Sequence, residues 1–242
     1  GSIFDYPIIS TNLKYLKNVK NYLKKLKVKK YKIILEPSKR NTAPAILISA
    51  LLKDVPYQQP LLFFPSDHLM GKVNFFNQKI NKNKNKLTNE NIFIFGIKPT
   101  SPSSEYGYLL TKKAKGNVNK VTRFIEKPNR LKAKQIIKKK GYWNSGMFFF
   151  RKDSIINNFK KYQPSIYKNC LKATIKSKVI KNTYYLHKGS FDKIIPKSFD
   201  YAILEKSKKI NAVKLNIPWS DLGSWKEIAK IYKENKSKYF KK

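Results

Sequence analysis

Two spacings of apolar residues alternate along this chain. Leu13, Leu16, Val19, Leu23 and Leu26 recur every three or four positions with Lys and Asn between them, which predicts an amphipathic helix. Before it, residues 5–10 read as a short apolar strand, and Thr11-Asn12 offer capping side chains. Tyr31-Lys32-Ile33-Ile34-Leu35-Glu36 reads as a second strand ended by Pro37. Residues 45–52 are apolar nearly all round and predict a buried helix, with Thr42 as cap and Pro44 in the first turn, where its missing N–H does no harm. Leu61-Leu62-Phe63-Phe64 then reads as a strand buried on both faces, which Pro65 stops. A helix over 72–83, with Val73, Phe76 and Ile80 on one side, and the apolar strand Ile92-Phe93-Ile94-Phe95-Gly96-Ile97 complete a β-α-β-α-β-α-β alternation. That alternation predicts an α/β fold with right-handed crossovers, a mainly parallel mixed sheet and helices on both faces.

The second half has a more mixed pattern. Residues 98–104 form a loop by composition; 106–110 and 121–125 read as strands flanking a turn at Gly116-Asn117. A Lys-rich helix over 130–140, then Gly141-Tyr142-Trp143-Asn144-Ser145-Gly146 and the strand Met147-Phe148-Phe149-Phe150 follow. Helices broken at Pro164 occupy 153–180, a strand 210–217, and a closing amphipathic helix 225–235. Internal repeats and Gly/Ser linkers are absent, so one domain over residues 1–242 is expected.

Composition narrows the class. A chain of 242 residues, 41% hydrophobic with 15 Phe and 15 Tyr, can bury a sizeable core. Its apolar runs fall short of the roughly 18 residues needed to span a bilayer, and its first residues resemble neither a signal nor a transit peptide, so a cytoplasmic location without membrane association is expected. One cysteine, Cys170, excludes an intrachain disulfide and reads as a structural thiol; two histidines argue against a His-based zinc site. The net charge of +39 draws polyanions, but the excess is almost all Lys interleaved with Asn, Ile and Tyr, and Arg stands only at 40, 123, 130 and 151. Nucleic-acid readers concentrate Arg and Lys on one element, so the charge reads as solvated faces with a preference for phosphate-bearing ligands rather than a nucleic-acid partner.

Three places join polar chemistry to the end of an apolar strand. The first is Ser66-Asp67-His68, where ligands gather in open α/β sheets. The second pairs Glu126-Lys127-Pro128 with Asn144-Ser145-Gly146, a carboxylate and an ammonium beside a glycine that lets a ligand approach the backbone. The third is Trp219-Ser220-Asp221-Leu222-Gly223-Ser224-Trp225, where Asp221 follows a strand and Gly223-Ser224 opens a helix. Asp67 and Asp221 without a Cys or His shell suit Mg²⁺, which keeps water and substrate phosphates as ligands. Each taken singly reads equally as a turn or cap residue, and His68 as a loop histidine near the site.

These strings, together with Glu36-Pro37, Arg40-Asn41-Thr42-Ala43-Pro44-Ala45, Gly96-Ile97-Lys98-Pro99-Thr100, Tyr106-Gly107-Tyr108 and Asp200-Tyr201-Ala202, resemble in order and spacing the mannose-1-phosphate guanylyltransferases. The resemblance runs from about residue 5 to 235 and implies a Rossmann-like nucleotide-diphospho-sugar transferase fold. It implies GTP and mannose 1-phosphate as substrates and GDP-mannose and pyrophosphate as products. By similarity, Asp67 and Asp221 would hold Mg²⁺ between the substrates. Glu126 and Lys127 would engage the sugar and its phosphate, Lys127 in a catalytic capacity, while Gly107, Asn144 and Gly146 would line the sugar pocket. Arg40, Asn41 and Thr42 would lie beside the nucleotide.

The chain departs from the family in two ways. It begins downstream of the family's first strand and Gly-rich phosphate-cradling loop, which implies an N-terminally truncated domain with impaired chemistry and an open sheet edge. Glu105 stands where the family tends to have Gly, placing a carboxylate near a phosphosugar pocket. A C-terminal β-helix or isomerase domain, found in longer members, is not expected within residues 1–242. Transfer to another sugar 1-phosphate, or a non-catalytic remnant binding sugar phosphate or nucleic acid, is the alternative reading. Assembly into a homo-oligomer is left open.

Overall fold

The computed structural model describes residues 3–114, 118–223, 225, 228, 229 and 232. The chain divides into two compact units, Gly1–Gln59 with Lys152–Ser207 and Pro60–Arg151 with Lys208–Lys242. None of the three crossings between them has linker composition, which is why the sequence pattern points to one domain.

In the first unit, β1 (Ile8–Asn12) and β10 (Thr183–Tyr185) both run parallel to β2 (Lys32–Glu36), and β9 (Lys178–Ile180) closes the sheet antiparallel to β10. The predicted amphipathic helix is α1 (Leu16–Lys25), preceded by a 3-10 turn at Leu13–Tyr15 that Asn12 caps. Its Leu23 packs with Ile33 and Leu35 of β2, while Leu13 and Leu26, at the ends of the stripe, stay exposed. The helix expected to be buried all round is α2 (Thr42–Leu51), with Ala43, Pro44, Ile46, Leu47, Ile48 and Ala50 inside. It packs against α5 (Lys152–Tyr162) and α6 (Pro164–Ile175), the pair broken at Pro164 as expected. Lys152 is buried at the end of α2, where its ammonium donates to the carbonyls of Leu52 and Val55 at 2.8 and 2.7 Å, covering acceptors that a helix C-terminus leaves open. Cys170 is a free, buried thiol on α6, and burial raises its pKa well above the usual thiol range.

In the second unit a six-stranded sheet has the order β3 (Pro60–Phe63), β8 (Tyr142–Arg151), β5 (Ile92–Ile97), β11 (Ile210–Leu215), β7 (Val118–Ile125), β6 (Tyr108–Ala114), and β6 pairs back onto β8. The helices α3 (Val73–Lys84) and α4 (Arg130–Lys138) belong here. Phe76 and Ile80 of α3 and Ala133 and Ile136 of α4 join Phe93, Phe95, Trp143, Phe149, Val213 and Leu215 in one core. Each such aromatic or aliphatic side chain contributes about 1.5–3 kcal/mol by leaving water.

Three expectations are corrected here. The α/β class and the mixed sheet hold, with fewer parallel pairs than expected. Among the described residues, parallel pairing is found at β1–β2–β10 and β5–β11, because β8 inserts antiparallel between β3 and β5 and the β6–β7 pair adds further antiparallel edges. Secondly, β3 is half-buried and ends at Phe63, with Phe64 exposed; among the described residues it pairs with β8 alone, at the end of the strand order. Thirdly, the strand expected over Met147-Phe148-Phe149-Phe150 already begins at Tyr142, as β8. The turn expected at Gly116-Asn117 and most of the closing helix lie outside the described residues; Trp225, Ile228, Ala229 and Tyr232 are helical. Among the described residues no helix is long and apolar enough to cross a membrane.

Candidate active site

The second unit holds Asp67 and Asp221 together through a small device. Leu69-Met70 (β4) pairs antiparallel with Trp219-Ser220 (β12), in the register Ser220↔Leu69. The chain leaving Ser220 therefore runs back along the chain entering Leu69, so Asp221 comes beside Asp67-His68. The His68 imidazole records that convergence. Burial lowers its pKa, while the negative charges of Asp67 and of Asp221 both oppose the shift. Its ring packs edge-on against Trp219, with centroids 5.2 Å apart.

Asp221 is itself oriented. Its Oδ1 accepts a hydrogen bond from the Tyr106 hydroxyl at 3.1 Å and another from the Gly223 N–H at 3.1 Å. The intervening Leu222 sits at φ 53°, a left-handed conformation that a branched residue adopts only under constraint. Ser220 supports the turn by accepting from the Leu222 N–H at 3.1 Å.

The sugar-side candidates assemble around a bulge in β8. Between the pairs Ile94↔Phe148 and Gly96↔Asn144, Phe95 alone faces Ser145, Gly146 and Met147. Gly146 takes φ +70°, Asn144 Oδ1 accepts from the Gly146 N–H at 3.1 Å, and the Ser145 hydroxyl donates to the Phe95 carbonyl at 2.7 Å. A bulge re-aims the side chains beside it, and this one brings Gly146 against the Asp67 loop. A Cβ on Gly146 would stand 3.4 Å from Pro65 Cγ and 3.5 Å from His68 Cε1. The Gly107 carbonyl accepts from the Asn144 N–H at 2.7 Å, and a Cβ on Gly107 would come within 2.6 Å of Glu126 Oε2. Lys127 follows at φ 40°, held in the left-handed region directly before Pro128. Thus Asp67, Gly107, Glu126, Lys127, Asn144, Gly146 and Asp221 fall in one neighbourhood of the second unit.

Arg40, Asn41 and Thr42 lie in the first unit and are described there alone. Arg40 donates to the Asp192 carbonyl at 2.8 Å, and Ser38 donates to the Asp192 carboxylate at 2.7 Å. The Thr42 hydroxyl accepts from the Phe199 N–H at 2.9 Å. Asn41 adopts φ 68°, ψ −173°, a region ordinarily reserved for glycine, while its side chain accepts from the Thr42 N–H at 2.8 Å. The Arg40 and Thr42 side chains are thus engaged by the protein itself. Glu36, at the end of β2, is largely buried; burial pushes its carboxyl pKa up, partly offset by the Ser10 hydroxyl donating at 2.6 Å. Glu105 is exposed, in the turn before Tyr106.

The donor set fits a hard divalent cation completed by water and substrate oxygens. Two carboxylates converge, and both oriented donors on Asp221 fall on one oxygen. His68 Nδ1, Trp143 Nε1 and Trp219 Nε1 are buried without a hydrogen-bond partner among the described residues. Among the described residues no group of three or more His, Cys, Asp or Glu is placed to hold a metal ion. Sequence reasoning passed over the Tyr106 hydroxyl and the aromatic wall of Trp143 and Trp219; the only trace was their place in the quoted strings.

The profile of the nucleotidyl transferase family, described as "Nucleotidyl transferase", matches residues 2–238. The chain belongs to that family. Its relatives include an Escherichia coli protein named mannose-1-phosphate guanylyltransferase, 36% identical over 220 residues, covering 85% of this chain and 46% of that protein. The Pseudomonas aeruginosa alginate biosynthesis protein AlgA is 31% identical over 231 residues, 93% of this chain and 48% of that one. This nucleotidyl transferase chain spans about half the length of the curated relatives it matches. Among solved structures, a Thermus thermophilus protein described as mannose-1-phosphate geranyltransferase superposes with a TM-score of 0.81 at 23% identity, over 94% of this chain and 64% of that one. A Helicobacter pylori protein described as mannose-6-phosphate isomerase does so at 0.79 and 31%, over 90% of this chain and 85% of that one. These likenesses establish the α/β nucleotidyl transferase fold.

Proposed function

We propose that this chain carries the catalytic fold of a sugar-1-phosphate nucleotidyltransferase, with GTP and mannose 1-phosphate as its substrates and GDP-mannose and pyrophosphate as products. The observation that carries the reading is the approach of Asp67 and Asp221 to His68, in the same unit as the Gly107, Glu126 and Asn144 contacts. The sugar and base rest on the names of the relatives, the E. coli guanylyltransferase above all.

The attacking oxygen of a sugar 1-phosphate is already ionised near neutral pH, so the reaction needs no general base. It needs two anions brought together in line. A phosphate oxygen forms a bond to the α-phosphorus of the nucleotide while the bond to the pyrophosphate oxygen breaks. Lys127 neutralises the sugar phosphate, and Glu126 accepts from a sugar hydroxyl. Gly107, lacking a Cβ, lets the hexose lie against the backbone. Asp67 and Asp221 would hold a Mg²⁺ ion, which would supply neutralisation of phosphate charge when bound.

The test is a pyrophosphate-release panel crossing GTP, ATP, UTP and dTTP with mannose, glucose and galactose 1-phosphates. Whatever the absolute rate, the highest release should come from GTP with mannose 1-phosphate and should require Mg²⁺. Preference for another pair would overturn the substrate assignment, and release from none would count against the transferase reading itself.

A further inference from the structure

We infer that Tyr106 is a positioning residue for the metal-facing carboxylate: its hydroxyl, 3.1 Å from Asp221 Oδ1, occupies that oxygen together with the Gly223 N–H and so presents Oδ2 as the ligand. This rests on the reading of Asp67 and Asp221 as the metal pair. A carboxylate free to rotate offers either oxygen to a cation and loses entropy on binding it. One whose first oxygen takes two donors is already set. Leu222, at φ 53°, delivers the Gly223 N–H from one side. Tyr106 delivers its hydroxyl from another element, the turn ahead of β6.

The tyrosine is held rigidly enough for the task. Its ring lies 4.9 Å from that of Trp143 and 5.4 Å from that of Trp219, both core residues, so the hydroxyl is aimed by packing. Trp219 belongs to β12, which leads into Asp221, and Trp143 to β8, next to Asn144. The next residue, Gly107, takes the Asn144 N–H on its carbonyl and lies against Glu126. One dipeptide therefore orients the metal side with its first side chain and floors the sugar side with its second backbone. Sugar binding against Gly107 and metal binding at Asp221 become linked through it.

The experiment titrates Mn²⁺ into the 242-residue chain and reads the free ion by electron paramagnetic resonance, for wild type, Tyr106→Phe, Asp67→Asn and Tyr108→Phe. The phenylalanine keeps the ring between the tryptophans and removes only the hydroxyl. Tyr108→Phe is the control: this neighbouring buried tyrosine donates to the Ser103 carbonyl at 2.9 Å and takes no part in the site. Tyr106→Phe should weaken Mn²⁺ about tenfold without lowering the melting temperature more than the control does. Tyr108→Phe should leave the affinity unchanged, and Asp67→Asn should abolish it. Wild-type affinity in Tyr106→Phe, with loss in Asp67→Asn, would overturn the inference and leave the metal pair standing. No Mn²⁺ binding by wild type would overturn both.

Discussion

Ser220 pairs with Leu69 in a two-residue antiparallel ladder, and that pairing sets Asp221 beside the Asp67-His68 loop. Two carboxylates separated by more than half the chain are thereby joined by backbone hydrogen bonds rather than by side-chain chance.

Replacing either carboxylate should remove chemistry and spare the fold. Asp67→Asn and Asp221→Asn are each expected to lower the Mg²⁺-dependent rate by about 10²–10³-fold, the usual cost of losing one preorganised charge contact. Melting temperatures should move little, because an asparagine amide oxygen can still accept from Tyr106 and Gly223. Steady-state assays beside thermal melts check this; unchanged turnover in either variant refutes the metal assignment.

Two glycines should respond to alanine in opposite ways. At Gly107 the new Cβ would meet the end of the Glu126 side chain at 2.6 Å, which can swing away at the expense of the sugar pocket. At Gly141 it would meet Ile136 Cγ2 at 2.4 Å and the Ile136 carbonyl oxygen at 2.9 Å, at the close of α4, where backbone must yield. Gly107→Ala should raise KM for the sugar phosphate several-fold with little change in stability. Gly141→Ala should destabilise by about 1–3 kcal/mol with KM intact. Denaturant melts paired with KM measurements separate the two.

Glu36 supplies a pH test of the first unit. Its folded-state pKa is raised by burial, so the folded chain holds this proton more tightly than the unfolded chain. Its contribution to stability is therefore fully present below the ordinary glutamate value of 4.5 and is lost as pH rises through the higher folded value. Glu36→Gln keeps an acceptor for Ser10 and removes the titration. The stability of the Gln variant relative to wild type should rise with pH across that window and then level off. A difference independent of pH would show that burial of Glu36 carries no such cost.

Much of this was legible from side-chain pattern alone. The run at 92–97 was read as a buried strand and is one, because a central strand needs apolar residues on both faces. The run at 61–64 looks the same in sequence but lies at a sheet edge: apolarity tells which residues avoid water, not how many neighbours a strand has. Asn144-Ser145-Gly146 carries no strand pattern, since these residues favour turns, whereas here a bulge spends that freedom inside a strand. Strands of two residues such as β4 and β12 have no periodicity to detect, so what brings Asp67 and Asp221 together was invisible until the fold was known. The Tyr106 contact is likewise tertiary, spanning 115 positions.

The most direct test of the central claim is calorimetric titration of the 242-residue chain with GDP-mannose, with and without Mg²⁺, in wild type and Asp221→Asn. A site in which these carboxylates hold the ion against a sugar nucleotide predicts saturable one-to-one binding that Mg²⁺ strengthens about tenfold or more, with the gain lost in Asp221→Asn. GDP-mannose affinity indifferent to Mg²⁺, or a Mg²⁺ gain that survives in Asp221→Asn, would contradict it.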